Sequence, residues 1–274
     1  MRRFFACVLG WMLLATAAPA DTAADAREEE LWFPVGERLI YRAYWGRIRV
    51  GTSETTSAWV EEDGQRLIRL RIRTRTNRVL SAIYPVDSLI ESYVDPETFL
   101  PVRFVKDISE GRSRHDEVTT FDWEAGTARW HDRRRDRERT LEITPDTRCI
   151  PSLLFYVRRT GLTPGERVPF RVMADDKIYD LVVVAEEVER VRLPRYGRVP
   201  SLRAEPQAEF DGIFVRSGRM WIWTSMDPRR VATRISVEVP IARVHFVLER
   251  VRGPGTDFWV GGDGDDSEDE LDDE

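Results

Sequence analysis

The sequence predicts an all-β protein with one short helix, folded as a single antiparallel curled sheet or β-barrel. Three observations carry this. Apolar residues alternate with polar ones at period two through most of the chain. Turn signals recur at close spacing between those runs. Only one segment has helical spacing together with start and stop signals. The 274 residues are 42% apolar and 10% aromatic, too rich for a wholly disordered chain. With 33% charged residues, most segments carry a charge every few positions, which excludes a bundle of membrane helices. Two cysteines exclude a disulfide-stapled miniprotein.

The elements follow in order. Leu39, Tyr41, Ala43 and Trp45 share one strand face. Apolar parity changes after Gly46, to Ile48 and Val50, and predicts a β-bulge there. Gly51 to Val60 leads to a turn at Glu61-Glu62-Asp63-Gly64. In the next strand Ile68, Leu70 and Ile72 face one way and Arg69, Arg71, Arg73 and Arg75 the other. Further strands are expected at Leu89–Val94 and Phe99–Ile108, around the turn Asp95-Pro96-Glu97, then near 113–122, 127–132 and 137–143. The helix starts with Pro151 in its first turn, runs Ser152–Arg159 and stops at Gly161. Strands resume at Val168–Met173, Ile178–Glu187, Arg198–Glu205, Ala208–Arg216, Arg219–Met226, Ala232–Val239 and Ala242–Val251.

Organisation along the chain is equally legible. Arg2 and Arg3 precede the apolar run Phe4–Ala18, and Ala18-Pro19-Ala20 supplies small residues before a cut after Ala20. That is the pattern of a cleaved signal peptide over 1–20, so the expected location is periplasmic or secreted. Residues 21–32 read as a linker, 33–252 as the β domain and 253–274 as an acidic disordered tail. The net charge of −6 resides in that tail, where Asp263–Glu274 holds nine acids and no base. Only Lys106 and Lys177 are lysines, so the basic residues are almost all arginine. After signal removal Cys149 is the lone cysteine and reads as a small buried residue.

Chemistry-bearing motifs are sparse. His115, His131 and His245 show no metal-ligand spacing, and no nucleophile elbow, P-loop or dinucleotide fingerprint occurs. No catalytic residue, metal site or cofactor is expected, and export argues against nucleic acid as a partner. Aromatic residues on strand faces, Tyr41, Trp45, Tyr93, Trp221 and Trp223, are candidates to line an apolar ligand site. The row Arg69, Arg71, Arg73 and Arg75 is either a solvated face neutralised by neighbouring acids or a stripe for an anionic partner.

The run Phe33-Pro34-Val35-Gly36-Glu37-Arg38-Leu39-Ile40-Tyr41, then Trp45-Gly46 and Val50-Gly51-Thr52, resembles the opening of the bacterial exported family called domain of unknown function 3108. Asp87, Glu91-Ser92-Tyr93-Val94-Asp95-Pro96 and Leu100-Pro101 continue the likeness. So do Ser152–Arg159, Pro164-Gly165 and Trp221-Ile222-Trp223. Two departures stand out: Val231-Ala232 after Arg229-Arg230, and the acidic tail. The resemblance implies an exported, mostly β protein and supplies no catalytic residues. By architecture alone the pattern is also similar to periplasmic lipoprotein carriers, half-open β-barrels that fold a curved sheet over a helix. Together these readings favour a non-enzymatic envelope protein that binds a lipid or other apolar or amphipathic ligand, or an envelope protein partner. A structural or assembly factor acting through its Arg rows is the alternative, and a polysaccharide-directed hydrolase a weaker one.

Overall fold

The computed structural model describes residues 31–208, 219–239 and 242–254. The expected signal segment, most of the expected linker and nearly all of the acidic C-terminal stretch lie outside the described residues, as does most of the strand expected over Ala208–Arg216.

Fifteen strands form one sheet: β1 (Arg38–Trp45), β2 (Ile48–Glu62), β3 (Gln65–Thr76), β4 (Val86–Val94), β5 (Pro101–Glu110), β6 (Ser113–Asp122), β7 (Thr127–Asp132), β8 (Arg137–Glu142), β9 (Thr147–Cys149), β10 (Arg167–Ala174), β11 (Lys177–Leu193), β12 (Gly197–Ala208), β13 (Met220–Ser225), β14 (Ala232–Val239) and β15 (Ala242–Arg252). A one-turn helix α1 (Arg78–Ser81) follows β3, and α2 (Ile150–Thr160) follows β9. The spatial order is β8-β7-β6-β5-β4-β3-β2-β1-β15-β14-β13-β12-β11-β10-β9. Every pairing is antiparallel except β9 with β10. Two hairpin meanders therefore join at the middle through the first and last strands.

The sheet curls without closing, because β8 and β9 are its two edges and do not pair. Yet only residues 143–146 separate them in the chain, a reach of at most about 17 Å. A sheet this wide must bend to bring its ends that close. Contacts across the gap fix the bend. Arg139 on β8 bonds Asp176 in the β10–β11 turn at 2.8 Å. Lys106 on β5 is buried between Glu117 and Asp175. The Arg148 guanidinium donates to the Phe99 carbonyl at 3.0 Å.

The helix lies against the concave face. Gly161 caps it with φ 61°, and the Arg230 guanidinium, packed against that glycine, donates to the carbonyls of Arg158 and Arg159. A cation at the negative end of the helix satisfies carbonyls that the helix itself leaves open. At the other end the Ser152 hydroxyl accepts from the Cys149 amide at 3.0 Å. Cys149 is fully buried, and burial pushes its thiol above the usual range. The Trp32 indole donates to the Phe155 carbonyl at 2.7 Å, and Phe33 packs edge-on to Phe155 with centroids 4.7 Å apart.

Beneath this aromatic clasp sits a buried charge cluster. Glu37, ahead of β1, accepts both guanidinium nitrogens of Arg158 on α2, at 2.7 and 3.1 Å. Its second oxygen also accepts from Arg229, between β13 and β14. The Glu37 side chain has no solvent exposure and that of Arg158 only 6%. One carboxylate thus ties three separate parts of the chain together.

The parity change at Gly46 is not a bulge. Gly46 has φ 58° and makes the tight β1–β2 hairpin, so the chain reverses and the apolar side restarts on the next strand. The register shift falls instead between Ala43 and Tyr44. Phe99 also departs from expectation: with φ 56° it belongs to the β4–β5 turn, and the strand starts at Pro101.

Replacing Glu37 by Gln should leave Arg158 and Arg229 buried without a counter-charge. Urea unfolding should show a loss of about 3–5 kcal/mol. Glu54→Gln, which breaks the more exposed pair with Arg38, should change stability by no more than about 1 kcal/mol.

Candidate functional site: an apolar cavity beneath the helix

A cavity of about 290 Å³ lies between α2 and the concave face of the sheet. Strand alternation builds its wall. Ala204, Ile222 and Ile235 stand directly opposite one another on β12, β13 and β14, so they share one face. Leu181 and Val183 on β11 extend this wall, and Leu39 and Tyr41 line it from β1. Leu153, Leu154 and Val157, spaced for one helix face, cover it from α2.

The phenol and the two guanidiniums at the wall are engaged. The Tyr41 hydroxyl donates to the Ala232 carbonyl at 3.0 Å. Burial, reinforced by Glu37 and opposed by Arg158, pushes its phenol above the usual value. The Arg158 guanidinium is turned to Glu37, and that of Arg230 to the end of α2. The cavity is a mainly apolar chamber whose charged groups are paired, with the hydroxyls of Thr55 and Thr224 also at its wall, and it is suited to holding a hydrocarbon surface.

Of the five aromatic candidates, Tyr41 lines this cavity. Trp45 is 44% exposed at the end of β1. Tyr93 lies on the opposite, convex face, opposite Arg69 and Arg103, with the Arg103 guanidinium 4.1 Å above its ring. Trp221 and Trp223 also face away from the cavity, because their neighbour Ile222 faces in. The arginine row is convex too, and two acids on β4 serve its four guanidiniums: Arg69 and Arg71 approach Glu91, and Arg73 and Arg75 approach Asp87, at 3.1–3.9 Å. Glu37, Leu181, Val183 and Ala204 were not singled out by sequence. For Leu181, Val183 and Ala204 the signal is inward parity on the C-terminal strands and appears only once the register is known, and Glu37, ahead of β1, carries no such signal.

Trp221 and Trp223 instead border a second hollow, of about 310 Å³, with Arg234, Ser236, Arg243 and His245. Trp221, Ser236 and His245 are directly opposed across β13, β14 and β15. Arg219 and Arg243 stack on Trp221, and Arg234 on Trp223. Among the described residues no group of three or more His, Cys, Asp or Glu side chains is placed to hold a metal ion. No helix among them is long and apolar enough to cross a membrane.

Curled sheet, inner helix and apolar chamber define a β-barrel-like protein. Residues 40–248 match the family model described as "Protein of unknown function (DUF3108)", and the chain belongs to that family. No curated protein matches the chain. Among solved structures it is similar to a β-barrel-like protein of domain of unknown function DUF1849 from Brucella abortus. That match has 11% identity and a TM-score of 0.52, covering 79% of this chain and 97% of the other. A DUF1089 family protein from Pseudomonas aeruginosa matches at 13% identity with a TM-score of 0.34, covering 65% and 87%. The first likeness supports the β-barrel-like fold.

Burial, together with Arg234 and Arg243, lowers the pKa of His245 below its ordinary 6.5. The folded protein thus binds this proton less readily than the unfolded chain. The associated stability is complete above about pH 6.5 and is lost as pH falls through the folded-state value. A proton NMR titration should place the His245 midpoint below 6.5. Acidification from about pH 7.5 to 5.5 should lower the urea midpoint of the wild type more than that of His245→Gln.

Proposed function

We propose that this protein is a non-enzymatic binding protein of the bacterial envelope that takes an apolar or amphipathic ligand, such as a single acyl chain, into the chamber under α2. The observation that carries this is the chamber itself: about 290 Å³, walled mainly by aliphatic side chains, with its charged neighbours Arg158 and Arg230 already engaged elsewhere. Its size is near the lower end of the ~300–1,000 Å³ typical of small-molecule pockets. A chamber lined this way gains little from holding water and more from holding hydrocarbon. The basic and apolar opening segment, with its Ala18-Pro19-Ala20 site, supports export. The pairing of the convex arginines with Glu91 and Asp87 weighs against the Arg row as the working surface. Among the described residues two His–acid contacts exist, but neither lines the chamber, so they give a hydrolase no site there. Glu117, beside His115, is already held by Lys106 and the Trp130 indole, and His131 meets Asp136 at a turn.

Protein purified from its own envelope should release a lipid-like molecule on solvent extraction, identified by mass spectrometry, and should bind a fluorescent fatty acid. Ala204→Trp places an indole in the chamber and should abolish both, at a stability cost of about 1–3 kcal/mol. A protein that is ligand-free and blind to the probe, or one whose binding survives Ala204→Trp, would sink the reading.

A further inference from the structure

The large apolar side chains exposed among the described residues are not scattered. Five of the seven, Trp45, Ile48, Val79, Ile83 and Tyr84, fall in the β1–β2 turn and the β3–β4 connection. Ile48, Val79 and Ile83 are 68%, 79% and 80% exposed. The two segments are held together. The Asn77 side chain donates to the Arg49 carbonyl at 2.8 Å, and its backbone amide donates to the Val50 carbonyl at 2.9 Å. Asn77 also caps α1 by accepting from the Leu80 amide. The protrusion is therefore built and does not trail from the sheet.

Its charge is one-sided. Residues 44–52 and 77–86 contain Arg47, Arg49 and Arg78 and no acid. In an antiparallel meander alternate turns share one end, so the β5–β6 and β7–β8 turns join this rim. They add Arg112 and Arg134; in the β7–β8 turn Arg133 is paired with Asp116 and Arg135 with Asp132, and Asp136 lies beside them. An exposed cluster of aliphatic and aromatic side chains ringed by arginine is costly in water and complementary to one kind of surface. Its apolar tips suit the acyl boundary of a bilayer, Trp45 and Tyr84 suit the headgroup level, and the arginines suit anionic headgroups.

We propose that this rim docks the protein on an anionic lipid bilayer, with Ile48 and Ile83 as the inserted tips and the surrounding arginines as the electrostatic contact. The proposal stands apart from the chamber under α2, since no rim tip lines it, and either can fail without the other.

Sedimentation of the full chain with vesicles tests it. Binding to phosphatidylglycerol vesicles should exceed binding to phosphatidylcholine vesicles and should weaken with salt. The double variant Ile48→Ser/Ile83→Ser should bind at least about tenfold more weakly. Arg47→Gln/Arg78→Gln should lose affinity for phosphatidylglycerol vesicles only. Val188→Ser, at an exposed position on β11, should bind as the wild type does. The apolar segment 4–18 is common to all variants, so the differences report the rim. Brominated lipid gives a local readout, because it should quench the emission lost in Trp45→Phe. Unchanged binding by the Ile48→Ser/Ile83→Ser variant, with Trp45 unquenched, would overturn the proposal.

Discussion

The buried carboxylate of Glu37 is the interaction on which the rest of the molecule depends. Its two oxygens hold Arg158 on the helix and Arg229 at the β13–β14 connection. A desolvated carboxylate is tolerable only when its charge and its lone pairs are answered, and here two guanidiniums do both. The neighbouring Arg230 stops the helix by binding its last carbonyls. Adjacent arginines thus set the helix at a fixed height above the sheet, and that height is the depth of the chamber.

The sheet explains why a helix is needed at all. Fifteen strands with one apolar face cannot lie flat in water, and two short edges that approach without pairing leave the interior incompletely lined. The helix, the aromatic clasp of Trp32, Phe33 and Phe155, and the fully buried Phe99 fill part of that interior. What they leave over is the chamber. The edge strand β8 carries Arg137, Glu138, Arg139 and Glu142, all exposed, and such charges discourage pairing with another chain.

Much of the fold was legible because strands write themselves at period two. The opposition of Ile68, Leu70 and Ile72 to the arginines between them fixed β3 and both of its faces before any coordinates. Pro151 and Gly161 bracketed the helix to within a residue or so. Failures came where a local signal has two geometric meanings. A glycine at a parity change fits a bulge or a hairpin, and Gly46 is the hairpin. The short strand β9 carries no alternation to read. Site residues were less legible for the same reason. Trp221 and Trp223 are conspicuous as aromatics, but parity points them outward, and the plain residues Ala204 and Ile222 form the wall. Which face is concave depends on pairing between distant strands, and no local pattern encodes that.

The pairing of β1 with β15 has a temporal consequence. Arg38 lies opposite Arg252 and Trp45 opposite Val244, so the central ladder of the sheet joins residues about two hundred positions apart. Closing so large a loop comes before its contacts repay the entropy, and topologies of this kind fold slowly. While the chain is being synthesised, the β1–β8 meander can form hairpins, yet one flank of β1 stays open until the last strand emerges. The Glu37 cluster waits as well, since Arg158 and Arg229 arrive late. The cluster of Phe104, Phe121, Ala128 and Trp130 can assemble early within the first half, whereas the Glu37 cluster and the chamber wall of β11–β14 are completed only when the later strands arrive.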